Sequence, residues 1–173
     1  MRVPRLWIGV IFAAGMACVV EAQTLTAQVA GESDHTITFE LGWAADWSRQ
    51  EGTRAAGGTF AFEVTPIEHW LELEVGATAI HAPANVEASL DVLFKKPWRV
   101  SPRFEFMIGV GPELIHETRA GGGTHWGLSA VADLMFWPRR NVGWYLEPGY
   151  EAGFQNGATR HGLAVAAGLL IGR

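Results

Sequence analysis

Residues 103–114 read RFEFMIGVGPEL and residues 143–154 read GWYLEPGYEAGF. In both, bulky apolar side chains alternate with Glu, Gly or Ala. The same period-two pattern recurs along the chain, and no segment keeps the 3.6-residue stripe of an amphipathic helix. The alternation predicts eight strands, over 35–47, 59–65, 70–80, 86–94, 100–117, 125–137, 142–154 and 161–172. The stretches between them carry turn formers: SRQEGTRAAGG, Pro66-Ile67-Glu68, HAPAN, KKPWR, TRAGGGT, Pro138-Arg139-Arg140-Asn141 and QNGATR. Connections after the second, fourth and sixth segments read as short and Pro-rich or basic. The others read as longer on average and rich in Gly, Ala and Asn. An even number of antiparallel strands with that asymmetry is the pattern of an up-and-down transmembrane β-barrel. Strands of nine or more tilted residues suit a bilayer crossing.

Alternation alone fits a soluble lipocalin-like barrel as well, and the makeup of the less apolar face decides between them. In the fifth segment Phe104, Phe106, Ile108 and Val110 oppose Arg103, Glu105, Met107, Gly109, Gly111 and Glu113. In the seventh, Trp144, Leu146, Pro148, Tyr150, Ala152 and Phe154 oppose Tyr145, Glu147, Gly149, Glu151 and Gly153. The last gives Leu163, Val165, Ala167, Leu169 and Ile171 against Ala164, Ala166, Gly168 and Leu170. A solvated sheet face would carry Lys, Thr, Arg and Gln. Gly, Ala, Ser and isolated acids suit the interior of an eight-stranded barrel, which is wide enough only for its own side chains. The bulky face then meets lipid, and closure satisfies the backbone groups that hydrocarbon cannot. Trp70, Trp98, Trp137 and Trp144 fall beside the short turns, and Trp43, Trp47, Trp126 and Phe154 near the other end. Two interfacial aromatic belts are expected from this placement.

Composition supports this picture. Hydrophobic residues make up 49% of the 173, charged residues 18%, and there are 21 glycines. The net charge of −5 offers no handle for nucleic acid. Arg2 and Arg5 precede LWIGVIFAAGMACVV, and Val20-Glu21-Ala22 is a small-residue cleavage site, so 1–22 reads as a secretory signal peptide. Cys18 lies inside it, which leaves the mature chain without a disulfide. Residues 23–34 read as a loose polar tail, and the barrel as 35–173.

With GVGPEL and YEAGF as its motifs, the chain resembles the small eight-stranded outer-membrane barrels, the OmpA/OmpX-like group, over residues 35–173. The resemblance implies an outer-membrane location in a Gram-negative-type bacterium, with both termini in the periplasm. It also implies contact with outer-membrane lipid and lipopolysaccharide, and insertion by the barrel assembly machinery. Such chains commonly end in an aromatic residue, whereas this one ends Leu170-Ile171-Gly172-Arg173.

The chemistry on offer is acidic. Extending each hairpin from its turn sets Asp91 against Arg103 as a structural ion pair, Glu63 against Glu72, and Asp133 against Glu147. Facing acids in a confined interior would share a proton or recruit a cation. Glu74, Glu105 and Glu151 continue the line, so the lumen is either a packed plug or a narrow path for protons or small cations. His81, His116, His125 and His161 gather at one rim, but by parity only His125 points inward, so no metal site is expected. Pro148, mid-strand, implies a bulge or kink. Enzymatic barrels of this size need a nucleophilic Ser or an acid–base His group at the rim. No His-x-Ser pair occurs, and Ser129 near His125 has no acid to orient the histidine. The expectation is a non-enzymatic structural or surface-interaction barrel without a cofactor, its contact surface at 48–58 and 117–124.

Overall fold

The computed structural model describes residues 37–48, 54–82, 85–119 and 122–172. The expected signal peptide with Cys18, the polar tail and residues 35–36 lie outside the described residues. Eight strands follow in order: β1 Ile37–Ser48, β2 Arg54–Ile67, β3 Leu71–Ala82, β4 Asn85–Ser101, β5 Phe104–Glu117, β6 Gly123–Phe136, β7 Val142–Gln155 and β8 Ala158–Gly172. Each is antiparallel to its neighbours, and β8 pairs with β1 from Thr38–Gly172 to Ser48–Gly162, so the sheet closes on itself. Closure leaves no strand edge to be satisfied by solvent.

Most strands run longer than the sequence pattern suggested, β2 and β4 above all, and most turns shrink accordingly, whereas β5 starts four residues later, at Phe104. The connections span five, two, five and two residues at one end and three, two and five at the other. The expected contrast between long and short loops is therefore absent, and 54–58 of the supposed contact surface belong to β2. The β7–β8 turn is a tight Asn156-Gly157 pair with φ of 51° and 77°, a primed turn whose twist matches that of its strands. KKPWR is not a turn either. It continues β4, and the hairpin reverses at Pro102-Arg103. Pro97 is tolerated because the ladder with β3 ends at Glu72–Lys95, leaving β4 paired on one side there.

Two faces with opposite chemistry result. Among the described residues, twenty-five large hydrophobic side chains are exposed on the outside, Leu41, Phe60, Leu90, Phe94, Ile108, Val110, Leu128 and Leu169 among them. That inverts the arrangement of a soluble barrel, for which an apolar surface this extensive would drive aggregation. Inside, Glu40, Glu63, Glu74, Lys95 and Asp133 are among the most deeply buried side chains.

Trp70, Trp98 and Trp144 are exposed toward the end that holds Ile37 and Gly172, Trp47 and Trp126 toward the other, with Trp43 further down β1. Trp98 stacks on Phe106 with ring centroids 5.7 Å apart, and Trp144 tilts against Phe136 at 5.3 Å. Trp137 departs from the belt: it turns inward and packs with Met107, Met135, Tyr145 and Leu170. It shares the parity of Met135 and Asp133, so its side chain belongs to the lumen despite its place beside a turn. Pro148 causes no bulge. The β6–β7 register is the same on both sides of it, and β8 pairs straight past it at Pro148–Val165. Register shifts occur instead between Val64 and Ile67 and between Arg99 and Ser101.

Candidate functional site

From the end that holds Ile37 and Gly172, the lumen is built in four levels. The lowest is the apolar plug of Met107, Met135, Trp137, Tyr145 and Leu170. Glu63 and Glu72 are buried on the opposite wall, and Glu105 is half-buried. Directly above, Lys95 is wholly enclosed. Its Nζ donates to Asp133 Oδ2 at 3.0 Å, to Glu147 Oε2 at 2.9 Å and to Glu74 Oε2. Thus β3, β4, β6 and β7 each contribute one member. Gly109, opposite Lys95 on β5, makes room for the lysine stem: a Cβ there would stand 2.7 Å from Lys95 Cγ. An ammonium offers three donors, and three carboxylates use all of them. Glu40, also fully buried, brings its carboxylate within 4.8 Å of those of Glu74 and Asp133.

The third level is a cavity of about 70 Å³ whose wall includes Asp46, Asp91, Glu113 and Glu151 with Thr59, Thr78, Ser89 and Ser129. At the mouth, Glu117 is gripped from two sides. Arg119 Nε donates to Oε2 at 2.8 Å, and Arg160 Nη1, from β8, donates to Oε1 at 2.6 Å. Arg160 faces Gly153 on β7, which in turn faces Gly127 on β6. These two glycines leave the path to β5 open for the long side chain.

Of the three expected cross-strand pairs, the structure keeps one, moves one by two residues and replaces the expected ion pair by two facing acids. Asp91 faces Glu113, not Arg103, because moving the hairpin turn from KKPWR to Pro102-Arg103 displaces its partner along β5. Arg103 sits in that turn, exposed, and its carbonyl accepts from Trp137 N at 2.8 Å. It is no part of the lumen. Glu63 faces Glu74 instead of Glu72, two residues away, beside the irregularity that ends β2. The pairs Val131–Gly149 and Leu134–Leu146 set Asp133 across from Glu147. Lys95, Glu40, Asp46, Glu113, Glu117 and Arg160 were not singled out as site residues. Parity held the signal for most of them: Asp91, Leu93 and Lys95 share one face, as do Thr38, Glu40 and Asp46.

The rim histidines do not converge. His81 and His116 are exposed, while His125 is buried in the lumen. His161 stacks on Tyr150 and makes a 2.7 Å hydrogen bond with its hydroxyl. Ser129 and His125 are four residues apart on one strand, about 13 Å, too far to act as nucleophile and base.

No protein-family model matches the chain, and no curated protein does. Solved structures do, beginning with Neisserial surface protein A at a TM-score of 0.64, with 11% identity over 79% of this chain and 96% of that one. The fold is that of the small outer-membrane barrels. The N-terminal β-barrel domain of Pseudomonas aeruginosa OprF matches at 0.52, with 13% identity over 78% and 98% of the two chains. Ail, the attachment invasion locus protein of Yersinia pestis, matches at 0.50, with 13% identity over 80% and 100%. At such identities the likeness is one of fold.

Proposed function

We propose that this protein is a small outer-membrane barrel with a structural or surface-contact role, neither an open pore nor an enzyme. The observation that carries the reading is the filling of the lumen. A Met and aromatic plug, and above it Lys95 clasped by three carboxylates, occupy the bore, and eight strands enclose little space beyond their own side chains. The apolar outer face supports a bilayer as its surroundings. In this reading the end bearing Ile37 and Gly172 faces the periplasm, the chain reaches the membrane through a signal peptide and the assembly machinery, and the opposite rim meets lipopolysaccharide. The line of carboxyls from Glu72 to Glu151 favours one second reading, a narrow proton or cation path.

Planar-bilayer recording on the folded protein decides between the two readings. Conductance at background, with heat-modifiable mobility and recovery in the outer-membrane fraction, is the expected result. Discrete cation-selective steps that Glu147→Gln alters would replace the sealed barrel with a channel.

A further inference from the structure

Positive charge gathers at one end of the barrel. Residues 96–104 and 137–143 hold five of the chain's 13 lysines and arginines and no acid: Lys96, Arg99, Arg103, Arg139 and Arg140. The first segment closes β4 and turns into β5, and the second joins β6 to β7, so both lie at the end that holds Ile37 and Gly172. The two turns are fastened side by side, because Trp137 N donates to the Arg103 carbonyl at 2.8 Å. Arg103 N in turn donates to Ser101 Oγ at 3.3 Å, which holds the tighter of the two in shape. All four arginines are exposed.

Nearby acids do not cancel this charge. Glu105 faces Arg99 across the β4–β5 ladder, and Glu68 Oε1 lies 3.6 Å from His69 Nε2. Lys96, Arg103, Arg139 and Arg140 stand in excess of these acids. The opposite rim is built otherwise, since Arg119 and Arg160 both donate to Glu117 there.

Beside the cations the outer face is apolar, with Trp98, Val100, Val142 and Trp144 exposed. Lys96 shares the parity of Trp98 and Val100, so its stem starts from the lipid-facing side. Its Nζ nevertheless reaches the His69 carbonyl at 2.5 Å and passes 5.9 Å from the centre of the Trp98 ring. A lysine that leaves an apolar face for the level of a turn is snorkelling toward headgroups. An aromatic belt with cations at its edge marks the depth of the lipid phosphates.

We propose that these two turns form a platform for anionic phospholipid headgroups. Guanidinium forks match phosphate oxygens, and the apolar skirt beside them takes the acyl chains of the same lipid. The opposite rim is the one given above to lipopolysaccharide, so the lipids that meet these turns are phospholipids. The platform rests on the reading of the outer face as lipid-facing and on no property of the lumen.

The test uses a chain that keeps Trp98 as its single tryptophan, folded in phosphatidylcholine vesicles. The vesicles carry the same small share of either brominated phosphatidylglycerol or brominated phosphatidylcholine. Brominated phosphatidylglycerol is expected to quench Trp98 as though its local share were about fivefold higher, the enrichment due to roughly one net basic residue near the surface. That enrichment should fall as salt rises. Arg103→Gln/Arg139→Gln should abolish most of it, whereas Arg54→Gln, exposed at the other end, should leave it intact. If the single-tryptophan chain lacks heat-modifiable mobility, spin-labelled forms of the two lipids compared on the wild-type protein take its place with the same expectation. Equal quenching by both lipids in a heat-modifiable barrel overturns the platform and leaves the lipid-facing reading standing, and the arginines would then serve a soluble polyanion. Quenching by neither lipid overturns the lipid-facing reading and the platform with it. Undiminished enrichment in the folded double variant also overturns the platform, because the lipid would then be held elsewhere.

Discussion

Two ion clusters occupy this lumen, and they are built in opposite senses. Below, one ammonium is held by three acids, with Lys95 and Asp133 wholly buried. At the mouth, one carboxylate is held by two guanidiniums that stay 24% and 30% exposed. The contacts have similar lengths, but the surroundings differ. Water can replace the partners of Arg119 and Arg160, whereas nothing can replace Lys95 for the acids around it. The lower cluster is therefore part of the barrel's interior packing and the upper one an adjustable rim contact.

The largest effect is expected from Lys95→Met, which keeps the bulk but leaves Glu74, Asp133 and Glu147 facing one another. Breaking a buried charge network this way costs about 3–5 kcal/mol, read as a lower urea midpoint for the protein folded in vesicles. A midpoint unchanged from wild type would mean that the lower cluster contributes no more than the rim. Gly109→Val comes next. Its side chain must displace the lysine stem and meets Val131 Cγ2, 3.0 Å from the Cβ position, so a loss of about 1–3 kcal/mol is expected from overpacking. Arg160→Ala should lose only ~1 kcal/mol or less, and the loss should shrink further in high salt. Salt-independent destabilisation by Arg160→Ala would put the two clusters on an equal footing.

Long, clean alternation made β5, β7 and β8 legible, down to which residues face inward, and with them the chemistry of both faces. Local composition misled where the barrel uses residues for other ends. Lys95-Lys96-Pro97-Trp98-Arg99 has every mark of a turn, yet Lys95 is the central cation of the lumen. Only the parity running on from Asp91 through Leu93 places it inside, one residue past the end of the strand that the alternation marks. The Arg54–Gly58 stretch looked like a loop because of its glycines. In the structure a Cβ at Gly57 would lie 1.9 Å from the Ala79 carbonyl oxygen, so the glycine serves a close strand approach instead of mobility. Trp137 was assigned by its nearness to a turn, when its strand parity already put it with Met135 and Asp133. Partners across a hairpin, such as Glu113 for Asp91, depend on the turn position, and each residue of error there moves the partner by two.

The central claim is the orientation of the two faces, bulky side chains to lipid and charge to the lumen. Fluorescence quenching by brominated acyl chains tests it directly, with variants that retain one tryptophan each, folded in vesicles. Trp144, exposed on the outer face, should be quenched strongly, and Trp137, packed against Met107 and Tyr145 inside, should be spared. Quenching of Trp137 with Trp144 protected would contradict the account, because the apolar set would then be a core and the acids a surface.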